Sequence, residues 1–131
     1  GLDLSDNLGI EGNTEGAEAV INHCRYQLLV SSRAAGLMAP IDTVFPVFDD
    51  EKAVLGRARW ARNMGFAGML CIHPKQIGPV QAGFSPDPEQ VEWARKIMAA
   101  AKSGGAAFKV EGQMVDAPVI AMARTIIDRA G

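Results

Sequence analysis

The sequence predicts an α/β fold of parallel strand–helix units. Three observations lead there. Short apolar runs alternate with longer helical patterns, the runs end in polar or proline-marked loops, and the helical patterns carry recognisable caps. That order suits an α/β barrel or an open doubly wound sheet, which differ in strand count. A barrel takes eight such units and about 250 residues. At most three can be found in these 131 residues, so a barrel would be represented only by its last portion.

The opening GLDLSDNLGI reads as the end of a strand flowing into a loop. With no methionine in front of Gly1, residues are expected upstream. From Thr14 to Gly36, Ala17, Val20, Ile21, Cys24, Leu28 and Ala35 recur near helical spacing, and Gly36 stands where a C-terminal cap is expected. LMAPIDTVF is a short apolar run ending at Pro46. The acidic group Asp49, Asp50 and Glu51 then starts a second helical pattern that stops at Gly65. GMLCIH is a third strand, and QIGPVQAGF behind it makes a short helical turn. A longer helix follows, with Asp87 at its cap, Pro88 in its first turn and Gln90 at capping-box spacing. Its face is Val91, Ala94, Ile97, Met98 and Ala101, and Ser103-Gly104-Gly105 ends it. FKVEGQMV reads as a small hairpin around Glu111-Gly112, and Ala117 to Ala130 as a closing helix. Residues 1–103 therefore read as one part and residues 104–131 as a C-terminal extension.

Composition excludes some functions. The 13 basic and 15 acidic residues leave a net charge of −2, without the basic run of a nucleic-acid footprint. No apolar run approaches the roughly 18 residues of a membrane span, so no membrane partner and a cytoplasmic location are expected. Cys24 and Cys71 lie in apolar segments without metal-ligand spacing and are expected to be reduced core residues.

In parallel βα proteins the reactive groups gather at the carboxyl ends of the strands. Asp3 with Asp6, Asp42 and His73 fall there. Asp3 and Asp6 form a D-x-x-D pair that magnesium could use through one carboxylate plus waters and substrate oxygens; loop capping is the alternative. Asp42 either meets substrate or bonds the backbone of its own loop. His73 either bonds nearby backbone while Pro74 fixes the turn, or faces the substrate pocket. Metal ligation by His73 is disfavoured, because no second imidazole or thiolate has suitable spacing. On local grounds Asp116, ahead of Ala117-Pro118, is an N-cap.

Four stretches, GLDLSDNLG, AAGLMAPIDTVFPVFDD, MGFAGMLCIHPKQIGPVQAGFSPDPEQVEWARKIM and GQMVDAPVIAMAR, resemble in content and order the C-terminal half of the citrate lyase beta subunit-like enzymes. These belong to the HpcH/HpaI aldolase superfamily and include malyl-CoA, citramalyl-CoA and citryl-CoA lyases. The resemblance implies the last strands and helices of a TIM (β/α)8 barrel plus a small C-terminal extension. It also implies magnesium-dependent carbon–carbon cleavage of an acyl-CoA substrate, and a homo-oligomer, trimer or hexamer, with the extension packed on a neighbouring subunit. By similarity Asp3 is a magnesium ligand, whose second ligand lies outside this sequence. Asp116 is the catalytic aspartate that reaches an adjacent subunit's site, and Asp42 and His73 take substrate-binding positions. Two alternatives stand beside the lyase: a relative that hydrolyses the thioester, like a malyl-CoA thioesterase, and a non-catalytic chain acting only in assembly. By itself the 131-residue chain is expected to be inactive.

Overall fold

In a computed structural model of the chain, residues 2–12, 14–103, 108–110 and 112–130 are described. They fall into two compact units, residues 1–84 and 85–131.

The first unit opens on α1, Leu2–Asn7, where a strand end was expected. Asp3 in its first turn complements the helix dipole, and Asn7 Nδ2 donates to the Asp3 carbonyl at 2.8 Å. Two further bonds close the turn, from the Gly9 N–H to the Asp6 carbonyl (3.0 Å) and from the Ile10 N–H to the Ser5 carbonyl (2.9 Å), the pairing of a Schellman end. The local capping chemistry thus makes a helix of a segment whose apolar content alone suggested a strand.

α2, Glu15–Ala34, begins as the sequence predicts, with Thr14 Oγ1 accepting the Ala17 N–H at 3.2 Å, and it turns out through Gly36. Its expected apolar face is only half realised: Ile21 and Cys24 are half-buried, whereas Val20 and Leu28 are exposed. α3, Glu51–Met64, is capped by Asp50, whose Oδ1 accepts the Ala53 N–H at 3.0 Å. It ends at Gly65, whose φ of 111° suits glycine far better than any L side chain.

Between and after these helices lie two very short strands, β1 (Ile41–Asp42) and β2 (Gly68–Met69), paired in parallel with Ile41 opposite Gly68 and Asp42 opposite Met69. Further bonds extend the pairing at each end, from the Ala67 N–H to the Pro40 carbonyl (2.8 Å) and from the Leu70 N–H to the Asp42 carbonyl (3.1 Å). The third predicted strand is therefore real but shorter than GMLCIH, because β1 offers it so few partners. Side chains alternate across the sheet. Asp42 and Met69 are buried, while Ile41 and Leu70 are more than half exposed. Met69 packs with Val54, Ala58 and Val80, covered by Phe45 and Phe84.

A 3-10 turn, Pro74–Gln76, leads from β2 into α4, Ile77–Phe84, which lies against α3. The approach is close at Gly83, where a Cβ would stand 2.5 Å from Ala58 Cβ and 3.2 Å from the Arg59 nitrogen. Two effects compete in Gly83→Ala. The gain in helix propensity is about 1 kcal/mol, and the overpacking costs about 1–3 kcal/mol. Because the obstruction is backbone and a methyl group that cannot swing away, the variant is expected to unfold at lower denaturant concentration, with an unchanged m-value; an unchanged midpoint would show that the two helices separate freely.

The second unit consists of α5 (Pro88–Ser103), the antiparallel pair β3 (Phe108–Val110) and β4 (Gln113–Val115), and α6 (Ala117–Arg129). Gln90 reaches back as predicted, its Oε1 accepting the Asp87 N–H at 3.1 Å. Ala94, Ile97, Val115 and Ala123 form its core. The hairpin and closing helix stand where the sequence placed them, although Glu111 and the expected stop Gly104-Gly105 lie outside the described residues. α5 groups with these elements in one compact unit, whereas the sequence drew its division at residues 103 and 104.

Candidate functional site

The strand ends of the first unit hold two built polar clusters, one around Asp42 and one around Gln76. Asp42 is 2% exposed. Because Ile41 takes the opposite face of the sheet, Asp42 turns toward the helices. Arg25 Nε of α2 donates to its Oδ1 at 2.8 Å, and Arg57 Nη2 of α3 donates to its Oδ2 at 3.3 Å. The Thr43 N–H also donates to Oδ1, at 2.9 Å, so the own-loop bond anticipated from the sequence forms as well. The Trp60 ring lies beneath both cations, 4.0 Å from Arg57 Cζ and 5.4 Å from Arg25 Cζ. Arg25 additionally donates to Asn22 Oδ1 at 3.1 Å. Burial, and then the nearby Arg25 charge, push the Arg57 guanidinium below its ordinary value, while Asp42 and Glu18 draw it back. One carboxylate thus ties β1 to both flanking helices.

These two arginines also edge a cavity of about 460 Å³ bounded by Ser5 and Ile10 on one side and by the loop from Thr43 to Val47 on the other. The α1 segment therefore approaches the carboxyl end of β1.

Gln76 is completely buried. Its Oε1 accepts the Ile72 N–H at 2.8 Å and the His73 N–H at 3.3 Å, and its Nε2 donates to the carbonyls of Phe45 and Val47, both at 2.7 Å. Two donors and two acceptors meet the amide in the only orientation that satisfies all four. His73, half-buried, caps the 3-10 turn with Nδ1 accepting the Lys75 N–H at 3.2 Å, and its ring stacks on Phe48 at a centroid distance of 4.6 Å. The backbone-bonding alternative for His73 is thus present in the structure.

The remaining expected residues are Asp3 with Asp6 in the first unit and Asp116 in the second. Asp3 and Asp6 are exposed on α1, three residues apart and so on one face. Among the described residues no group of three or more His, Cys, Asp or Glu side chains is gathered to hold a metal ion. Asp116 is exposed in the second unit and caps α6, its Oδ1 accepting the Val119 N–H at 3.3 Å. Both cysteines are free, but Cys71 is exposed rather than core, since it follows Met69 beyond the short strand. No helix among the described residues is long and apolar enough to cross a membrane.

Sequence reasoning named neither Gln76 nor the Arg25–Arg57–Trp60 group. The signal for Gln76 was present: His-Pro-Lys-Gln has the spacing of a capping box, with histidine in the place of the usual serine or threonine. No local pattern announces an ion pair between residues 25, 42 and 57, because it forms only when three elements pack.

The HpcH/HpaI aldolase/citrate lyase family model matches residues 1–74. The chain belongs to this family. It is 37% identical over 99% of its length to the mitochondrial citramalyl-CoA lyase of Rattus norvegicus, and 40% identical over 86% of its length to a citrate lyase subunit beta-like protein of Mycobacterium tuberculosis. It spans 39% and 41% of those two proteins, respectively. Among solved structures, 97% of the chain matches 48% of the CitE protein of Mycobacterium tuberculosis, in complex with magnesium, acetoacetate and coenzyme A, with a TM-score of 0.81 and 35% identity.

Proposed function

We propose that the protein carrying this chain is a magnesium-dependent CoA-ester carbon–carbon lyase, cleaving a β-hydroxyacyl-CoA of the malyl-, citramalyl- or citryl-CoA type to an acyl-CoA and a keto acid. One observation carries the reading: nearly the whole chain matches a relative solved with magnesium, a keto acid and coenzyme A. In this account the first unit supplies late strands of a TIM barrel. Further strands would cover the apolar face that bears Ile41 and Leu70.

Asp3 offers an exposed carboxylate, a hard oxygen donor of the kind magnesium takes one or two of while keeping waters and substrate oxygens in its other positions. The metal when bound supplies Lewis-acid and template chemistry to the oxygens of the acid half. The chain's own groups do the rest. Breaking the bond between the α and β carbons requires a proton to leave the β-hydroxyl and the acetyl carbon to gain one. Asp116 exchanges the proton at the acetyl carbon, in the site of a neighbouring subunit, and its capping bond to Val119 gives the carboxylate a rigid mount. His73 sits on the rim of the pocket, and Asp42 anchors the strand end beneath it.

The test is product analysis of the complete protein with these three thioesters. A lyase releases an acyl-CoA and a keto acid, whereas free CoA thiol with intact hydroxy acid would make it a thioesterase. Absence of both products would favour a role in assembly alone. In the same protein, Asp3→Asn is expected to weaken magnesium binding and turnover together, because an amide oxygen serves a hard cation less well than a carboxylate. Calorimetry showing unchanged magnesium affinity would remove Asp3 from the metal site.

A further inference from the structure

Gln76 is a neutral side chain with no contact to solvent, yet all its hydrogen bonds go to the backbone of two loops distant in sequence. One loop follows β1 and carries Phe45, Val47 and Phe48; the other follows β2 and carries Ile72 and His73. Both leave the carboxyl ends of parallel strands, where βα proteins place their reactive groups. Joining the loops places Phe48 of the first against His73 of the second, with ring planes inclined by 25°. At the same time Gln76 accepts the His73 N–H, and the Lys75 N–H occupies the imidazole Nδ1. A neutral imidazole whose Nδ1 accepts a hydrogen bond carries its hydrogen on Nε2.

We propose that Gln76 is a positioning residue, which locks the two strand-end loops into one rim and thereby fixes His73 as an Nε2–H hydrogen-bond donor toward an oxygen of the bound substrate. A donor of this kind suits a carboxylate or carbonyl oxygen and does not act as a base. The assignment of the rim to a substrate pocket rests on the lyase reading; the assignment of tautomer and positioning does not.

The experiment is long-range 1H–15N NMR of the histidine ring nitrogens in the complete protein, at a pH where imidazole is neutral, with His73 assigned by loss of its signals in His73→Asn. The wild type is expected to show a pyridine-like Nδ1, a protonated Nε2, and ring protons shifted upfield by Phe48. Gln76→Glu keeps the two acceptor contacts but cannot donate to the Phe45 and Val47 carbonyls. It is expected to release the loop, give a mixture of tautomers and abolish the upfield shift while the far-UV circular dichroism persists. Turnover should fall roughly 10- to 100-fold, the scale of loss from a displacement of about 1 Å, with magnesium affinity kept. A folded Gln76→Glu protein that retains one Nε2–H tautomer and the shift would overturn the proposal. If that variant does not fold, the wild type and Phe48→Leu still decide. Phe48 is 42% exposed, so its replacement should remove the upfield shift and leave the tautomer; a wild-type His73 protonated on Nδ1 contradicts the proposal outright. Should the wild type cleave no acyl-CoA ester, the lyase reading fails while the NMR result still judges Gln76.

Discussion

Asp42→Asn is expected to lower stability by about 3–5 kcal/mol, the usual cost of removing one partner from a buried charge cluster. The amide leaves Arg25 and Arg57 facing each other over Trp60 with no anion between them, and both arginine side chains are largely buried, at 11% and 19% exposure. Denaturant unfolding followed by far-UV circular dichroism measures the change. Replacing Arg57 by methionine in the same protein should recover part of the loss, since the surviving cation then has one fewer like charge to face. The experiment also separates two roles for Asp42. If it anchors β1, the Michaelis constant stays at its wild-type value wherever the variant is folded, and activity tracks the folded fraction. If it touches substrate, the Michaelis constant rises in fully folded protein. A stability loss below 1 kcal/mol would mean that water reaches the cluster.

Asp116→Asn is expected to leave the fold and substrate affinity in place and to lower the turnover number by about 10²–10⁴-fold, the range for loss of a positioned general acid or base. The cap itself should survive, because an asparagine oxygen accepts the Val119 N–H much as aspartate does. That makes the substitution selective for protonation chemistry. A turnover number unchanged in Asp116→Asn would instead identify Asp116 as a cap and nothing more.

Much of the fold was legible in local signals. Helices begin at Thr14 and at the Asp49–Glu51 group as the sequence indicates, with Thr14 and Asp50 as their caps, Gly65 ends α3, and Asp116 starts α6, because a helix end is decided within four residues. The strands were less legible. GMLCIH has the composition of a six-residue strand, yet β2 is limited to Gly68–Met69 because strand length depends on what a neighbour offers. α1 was misread for the opposite reason, since its helix is made by side chain–backbone bonds of Asn7 and a Schellman turn that apolar spacing does not register. At the site, the sequence located Asp42 but not the two arginines it binds, and located His73 but not the glutamine that holds its loop. The arginines are distant in sequence, and the glutamine, only three residues from His73, acts through bonds to the far Phe45 and Val47 carbonyls. Placing Asp3 and Asp116 in one chemistry came from family resemblance alone, for nothing local to either residue points to the other.

The claim that Asp3 of one subunit and Asp116 of the next complete a shared lyase site is tested most directly by subunit exchange. Asp3→Asn and Asp116→Asn proteins, each nearly inactive, are mixed under conditions where native mass spectrometry confirms mixed oligomers, and acyl-CoA release is measured. The account predicts recovery, because random assortment gives about one site in four an intact Asp3 facing an intact Asp116 across a head-to-tail contact. Mixed oligomers no more active than the two parents would contradict it and confine Asp116 to its own chain.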